Sequence, residues 1–283
     1  MGLSHQARTP LATHAAAAAV TSGGAFEERF VAIAGDWHSN RAAARRAMRL
    51  VHLHSPEVVT FLHLGDFNLG SEKPWAAYRK FLAEAMREYG VRRMLVTPGN
   101  HDNWERLAPR FAEEPNTPYS VPHLESVAFL PRGYQFSLGG RSFLSFGGAA
   151  SPDQEKRVRG KDWWPEEEPT RAEADLAGST RGVDVLLTHE AVNGGTAKVD
   201  RVLANPNLRL FSEEGLRASS RSRSMVTDVW HRTMPRILFH GHMHVKAERR
   251  LPDDRRVYSL AADEVDGNVG ILDLGDLSWT WLA

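Results

Sequence analysis

The sequence FHGHMH, at residues 239–244, places three histidines and a glycine directly after the apolar residues 237–239. Side chains at the end of a strand are held by the sheet beneath them, and imidazole is a common metal ligand. Taken alone, the stretch fits either a metal site or histidines that are simply packed. The other segments of the chain distinguish a metal site from packed histidines.

Four other short polar segments also follow apolar runs. A single Gly-Asp or a single histidine after a strand is well explained by a turn or by packing. Five such clusters, each at the end of a predicted strand, instead indicate side chains that converge on one metal site. The four segments are Gly35-Asp36-Trp37-His38, Gly65-Asp66, Gly99-Asn100-His101-Asp102 and Thr188-His189.

The order of apolar runs predicts an α/β fold. Strands at 30–34, 58–64 and 94–96 alternate with helices at 41–53 and 74–89, which is typical of parallel βαβ units. Gly139-Gly140 predicts a hairpin, and residues 149–180 predict a long ordered loop with a helix at 169–176. Further strands are predicted at 183–187, 237–239, 257–260 and 269–272. Two sheets packed face to face with helices outside would accommodate all of these elements.

The composition of the 283-residue chain excludes several function classes. No proline- or serine-rich linker divides it, so we expect one domain at 26–283 after a mobile leader at 1–25. Its 35 basic and 35 acidic residues balance, which gives no global attraction to nucleic acid or to an acidic membrane. No stretch approaches the roughly 20 apolar residues that span a bilayer. We therefore expect a soluble, cytoplasmic protein without a membrane partner.

The absence of cysteine leaves histidine, carboxylate and amide side chains as the available ligands. These suit hard or borderline metal ions. Two cations about 3.5–4 Å apart repel each other and need an anionic bridge, which a carboxylate can supply. The candidate ligands are Asp36, His38, Asp66, Asn100, His189, His242 and His244.

The five segments, in this order, resemble the signature blocks of the calcineurin-like metallophosphoesterases. The resemblance covers about residues 31–274. It implies a four-layer α/β/β/α sandwich of two mixed sheets with flanking helices, and a centre of two divalent or trivalent ions, Mn, Fe or Zn. By similarity, Asp66 bridges the two ions. The first ion is then held by Asp36, His38 and His244, and the second by Asn100, His189 and His242.

The expected chemistry is metal-dependent hydrolysis of a phosphoester. A hydroxide shared by two cations can attack phosphorus in line with the leaving oxygen. The resemblance gives His101 the role of donating a proton to that oxygen or of binding a phosphate oxygen. Asp102 could orient His101 or cap the following helix.

The substrate is less clearly indicated. Phosphoprotein phosphatases of this family carry an arginine shortly after the bridging aspartate, and none stands there in this sequence. Instead, Gly70, Pro74 and Tyr78 are spaced as in the cyclic-nucleotide phosphodiesterase subgroup, with Asn68 in place of its usual acidic residue. We expect a small phosphodiester or phosphomonoester, with cyclic nucleotides as one candidate class.

Four further residues are candidate substrate contacts. Asn40 and Asn68 could donate to phosphate, although a helix start and a turn explain them equally well. Trp163 or Trp164 could stack on a nucleobase, whereas at least one of them is expected to anchor the loop in the core. The alternative functions are a DNA or RNA nuclease and a metal-stabilised scaffold without turnover. The oligomeric state is not predicted.

Overall fold

A computed structural model describes residues 28–68, 73–205, 210–263 and 265–283. The expected leader at 1–25 and Gly70 lie outside these residues, as does the side chain of Pro74. No helix in the described ranges is long and apolar enough to cross a membrane.

Within the described residues, the first sheet has seven strands and carries the predicted βαβ units. Its strands are β1 (Phe30–Ala34), β2 (Thr60–His63), β3 (Arg93–Val96), β4 (Tyr119–Val121), β5 (Leu124–Phe129), β12 (Val269–Asp273) and β13 (Trp279–Leu282). They are arranged in the order β13-β12-β1-β2-β3-β5-β4, and β1, β2, β3 and β5 run parallel. The crossovers are helix α1 (Arg41–His54), helix α2 (Lys73–Glu88) and helix α3 (Trp104–Glu113).

The second sheet has six strands in the part of the chain that the structure describes. They are β6 (Tyr134–Leu138), β7 (Arg141–Phe146), β8 (Val185–Thr188), β9 (Ile237–His240), β10 (Ala247–Arg250) and β11 (Arg256–Ser259). Their order is β10-β11-β9-β8-β7-β6, in which β7, β8, β9 and β11 run parallel. The predicted hairpin at Gly139-Gly140 joins the antiparallel strands β6 and β7. The helices of this half are α4 (Arg171–Gly178), α5 (Ala197–Leu203) and α6 (Glu213–Thr233).

Side chains point alternately to the two faces of each sheet, and the packing on both faces produces four layers. Val31 and Ile33 of β1 face the second sheet, where they pack in a core with Phe239 of β9. Ala32 and Ala34 point to the opposite face and pack beneath α1 and α2. A third core joins the outer face of the second sheet to α4 and α6. The predicted fold class, a four-layer α/β/β/α sandwich of two mixed sheets, is confirmed.

The connecting segments differ most from the sequence predictions. The loop at 149–180 contains two 3₁₀ turns, Gln154–Lys156 and Pro165–Glu167. The helix predicted at 169–176 begins at Arg171, because Thr170 caps its N-terminus and forms a capping box with Glu173. Helices α5 and α6 and strands β4, β5 and β13 were not predicted. The buried face of α6 includes Ser219 and Ser222, so it lacks a continuous apolar stripe.

Candidate metal centre

The predicted ligands converge where the parallel strands of both sheets end. Asp36, Asp66 and Asn100 follow β1, β2 and β3, while His189 and His242 follow β8 and β9. The carboxyl ends of parallel strands in an α/β fold are a common ligand site. Two groups of potential ligand atoms form there, each with all its atoms within 4.8 Å of one another. One group contains Asp36, His38, Asp66 and His244, and the other contains Asp66, His189 and His242.

The first group surrounds the space between the two aspartates. The Nε2 atom of His244 lies 3.3 Å from Asp36 Oδ1 and 3.4 Å from His38 Nε2. His38 Nε2 is in turn 3.8 Å from Asp66 Oδ2. Asp36 is held by the backbone N–H of His242, which donates to Oδ1 at 3.0 Å. The four side chains could therefore coordinate one cation.

The second group is organised by His189, which is fully buried. Its Nδ1 lies 2.6 Å from the carbonyl oxygen of Leu64, an acceptor, so Nδ1 carries the proton that is donated there. A bound metal ion requires the neutral ring, and the lone pair of Nε2 would then face Asp66 Oδ1 at 3.3 Å and Asn100 Oδ1 at 3.0 Å. Three electron-pair donors that point at one another suit a cation between them. This geometry adds Asn100 to the second group.

Charges at the site also fit a cation. Burial would lower the pKa of His189, but the Asp66 and Asp36 carboxylates outweigh it and raise the pKa to about 10. Burial would raise the pKa of Asp66, but His189 and other imidazoles hold that pKa well below its usual value. Burial and the charge of His189 lower the pKa of His242, which favours the neutral ring that binds metals. The buried carboxylates thus attract positive charge, which bound metal ions would supply.

Two glycines allow the loops to approach the ligands closely. A Cβ atom on Gly99 would lie 2.3 Å from Asp66 Oδ1, and one on Gly241 would lie 2.3 Å from Asp36 Oδ2. Both distances are far below van der Waals contact. The glycines in the Gly-Asn-His-Asp and Gly-His-Met-His segments are therefore required by the carboxylates that they touch.

The predicted ligands also show unusual backbone conformations. Five of them have positive φ: Asp36 (53°), His38 (46°), Asp66 (50°), His242 (64°) and His244 (53°). Residues other than glycine adopt this region at a cost of about 1–3 kcal/mol each, and such residues concentrate at functional sites. Its occurrence at five predicted ligands indicates that the fold stabilises a strained arrangement at this edge.

His101 lies beside the two groups. Its backbone N–H donates to Asp66 Oδ1 at 2.9 Å, and its ring centre is 5.3 Å from that of His38. Burial lowers the pKa of His101; Asp66 opposes this effect and Arg157 adds to it. His101 is therefore near the site, as its predicted role requires, and that role stays a prediction.

Asp102 is buried and its Oδ2 accepts from the backbone N–H of Gly99 at 2.7 Å. The cap of α3 is the next residue, Asn103, whose side chain accepts from the backbone N–H of Arg106. The helix is therefore capped by Asn103, and the prediction that Asp102 could cap it is wrong. Asp102 shapes the Gly99-Asn100 loop, and its orientation of His101 stays a prediction.

The candidate substrate contacts occupy different environments. The Asn40 side chain accepts from the first turn of α1 and donates to Asp263 Oδ2 at 2.8 Å, so its amide supports the fold. Asn68 has a φ of 63°, which agrees with its interpretation as a turn residue. Trp164 is buried in the core of the first sheet, whereas Trp163 is half-buried. Of the two tryptophans, Trp163 is the one with the larger exposed surface for a base contact.

Two residues that support Asn100 were not predicted from the sequence. Asn100 Nδ2 donates to Ser151 Oγ at 3.0 Å, and the backbone N–H of Ser151 donates to Glu167 Oε1 at 2.7 Å. Partners of this kind orient metal ligands and raise their affinity. Both residues come from the loop at 149–180, and no spacing in the sequence relates them to Asn100. The only signal for such partners in the sequence was Asn100 itself, because a buried amide needs hydrogen-bond partners.

Glu167 should make the stability of the protein depend on pH. Burial raises the pKa of Glu167 to about 8, although hydrogen bonds from Ser151 oppose this. The folded state then binds the proton more tightly than the unfolded state does. Its stabilising contribution is complete below the unfolded pKa, about 4.5, and is lost as the pH rises to about 8.

Glu167→Gln, which cannot ionise, should lack this loss. Between pH 5 and pH 9, we expect the unfolding free energy of the wild type to fall by a few kcal/mol relative to that of the variant. One pKa unit corresponds to ~1.4 kcal/mol. Urea unfolding at pH 5, 7 and 9 would measure the difference, with the exposed neighbour Glu166→Gln as the control. Parallel pH profiles for the wild type and Glu167→Gln would contradict this assignment.

Comparison with known proteins agrees with the architecture. The sequence profile of the calcineurin-like phosphoesterases matches residues 31–246. No curated protein matches the sequence. A solved structure 16% identical aligns over 89% of this chain and 98% of its own, with a TM-score of 0.56.

Two further solved structures are similar in fold. A dimetal phosphatase from Danio rerio is 11% identical over 87% of this chain and 92% of its own, with a TM-score of 0.52. The protein TT1561 of Thermus thermophilus is 12% identical over 89% of this chain and 97% of its own, with a TM-score of 0.51. At these identities the neighbours show the fold, while the profile covers most of the sequence. The chain belongs to the calcineurin-like phosphoesterase family.

Proposed function

We propose that this protein is a hydrolase of small phosphoesters that uses a dinuclear metal centre. The observation that carries the proposal is the position of Asp66, which belongs to both groups of potential ligands. One carboxylate shared by two groups is the anionic bridge that two neighbouring cations need. Asp36, His38 and His244 would hold one ion, and Asn100, His189 and His242 would hold the other.

Two bound ions would supply a hydroxide nucleophile near neutral pH and would neutralise charge on the phosphoryl oxygens. The metals we favour are Mn, Fe and Zn, since imidazole with carboxylate suits them. The protein itself contributes the fixed positions of the ligands and His101. His101 would donate a proton to the leaving oxygen, and the 5.3 Å between its ring centre and that of the candidate ligand His38 places the imidazole beside the site.

The substrate class covers phosphodiesters and phosphomonoesters, with cyclic nucleotides among the candidates. Nucleic acid is a less favoured substrate because the charges balance at 35 basic and 35 acidic residues.

Hydrolysis of two chromogenic esters tests the proposal. Metal-depleted protein would be assayed with p-nitrophenyl phosphate and bis-p-nitrophenyl phosphate before and after addition of Mn²⁺, Fe²⁺ or Zn²⁺. We expect turnover of at least one ester, dependent on added metal and abolished by a chelator. Full metal occupancy without turnover of either ester would instead favour a metal-stabilised scaffold.

A further inference from the structure

Arg157 extends from the loop at 149–180 to the candidate metal centre. Its Nη1 atom is 2.9 Å from His101 Nδ1, and its Nη2 atom is 3.2 Å from His101 Nε2. His101 in turn donates through its backbone to Asp66, the residue common to both groups of ligands. A guanidinium thus lies beside the proposed proton donor, although no arginine stands shortly after Asp66 in the sequence.

The guanidinium of Arg157 is held in place. Its Nε donates to Asp153 Oδ1 at 2.7 Å, and Nη1 also lies 3.3 Å from the carbonyl oxygen of Asp162. Only 15% of the side chain is exposed. A side chain fixed in this way loses little further freedom when it binds a ligand.

The loop that carries Arg157 is anchored as well. The guanidinium of Arg132 donates to the carbonyl oxygens of Glu166 and Glu167, both at 2.7 Å. It also lies 4.0 Å from the ring centre of Trp104. The Trp104 side chain donates to the carbonyl oxygen of Gly99 at 2.8 Å, next to Asn100. These contacts connect the loop to the segment that carries Asn100 and His101.

The N–H donors of Arg157 are poorly matched to the acceptor nitrogens of His101. Two N–H groups of the guanidinium face an imidazole, and a neutral imidazole can accept on only one nitrogen. A phosphoryl group offers several oxygens, and the planar fork of arginine matches two of them. A phosphoryl group bound near Asp66 would therefore be a better partner for Arg157 than the ring alone.

We propose that Arg157 binds the phosphoryl group of the substrate and makes the site prefer a terminal phosphate over a phosphodiester. The inference rests on the proposed phosphoesterase function. A phosphomonoester carries nearly two negative charges at pH 7, since its second pKa is about 6. A diester carries one charge and has one fewer free oxygen for the fork. The fixed guanidinium of Arg157 therefore binds a phosphomonoester more strongly than a phosphodiester.

Arg157→Gln tests the proposal against Arg110→Gln, which removes an exposed arginine of α3. The metal-loaded proteins would be compared in kcat/KM for p-nitrophenyl phosphate and bis-p-nitrophenyl phosphate. The affinity for inorganic phosphate would be measured by calorimetry, which needs no turnover. Metal content and thermal unfolding would show that both variants are folded and loaded. Arg157→Lys would separate charge from the planar fork.

We expect Arg157→Gln to lower kcat/KM for the monoester by about 100-fold, as loss of one charge-stabilising donor does. The loss for the diester should be at least about tenfold smaller, and phosphate should bind at least about tenfold more weakly. Arg157→Lys should fall between the wild type and Arg157→Gln, and Arg110→Gln should match the wild type. Equal losses for both esters, or unchanged phosphate affinity, would overturn this inference alone. A metal-loaded wild type that hydrolyses neither ester would overturn the proposed function as well.

Discussion

Asp66→Asn is expected to abolish the binding of one of the two metal ions and to reduce phosphoester hydrolysis by at least about 1,000-fold. The reduction corresponds to about 4 kcal/mol, at ~1.4 kcal/mol for each factor of ten. The expectation follows from the place of Asp66 in both groups of ligand atoms. Asparagine keeps the size and the oxygen that accepts from the His101 backbone, but it removes the charge that would offset two cations.

Metal analysis of the dialysed protein would measure the first effect, and turnover with saturating Mn²⁺ would measure the second. Asp253→Asn, an exposed aspartate in the turn between β10 and β11, is the matched control. Thermal unfolding of the metal-free variant should show that its fold is retained. If Asp66→Asn bound two ions and kept wild-type turnover, Asp66 would not be a bridge.

His101→Ala should lower turnover by about 100- to 10,000-fold while leaving the metal content unchanged. His101 belongs to neither group of potential ligands, but it lies next to Asn100 and contacts Asp66 through its backbone. Alanine keeps that backbone hydrogen bond and removes the imidazole that would donate a proton to the leaving oxygen. The variant therefore separates the protonation step from metal binding.

The measurement is kcat together with metal stoichiometry, with His54→Ala as the control at the exposed end of α1. Esters with better leaving groups need less protonation, so their loss should be smaller. An unchanged rate would exclude a catalytic role for His101. A loss of bound metal would instead assign it to the support of Asn100.

The parts of the site predicted from sequence are those set by strand ends. Asp36, Asp66 and Asn100 follow apolar runs that form β1, β2 and β3, and the carboxyl ends of parallel strands meet at one edge. The period of two along β1 likewise separates Val31 and Ile33 from Ala32 and Ala34. Local patterns were sufficient for these features because the parallel ladder determines where the ends lie.

Features that depend on contacts between residues far apart in the sequence could not be predicted. Arg157 is 56 positions from His101, and the geometry of the loop that joins them has no periodic signal. Ser151 and Glu167 support Asn100 in the same way. Helix α6 was missed because serine and arginine interrupt its pattern, and its Arg217 pairs locally with Glu213. Positive φ at Asp36 and His244 is likewise imposed by the assembled site.

Titration of metal-free protein with Mn²⁺ or Zn²⁺, followed by calorimetry, tests the central claim most directly. If Asp66 joins two groups of ligands, the wild type should bind two ions per chain, and His189→Ala should bind one fewer. The retained ion in that variant would belong to the group that contains Asp36, His38 and His244. Binding of a single ion by the wild type, or of none, would contradict the dinuclear centre.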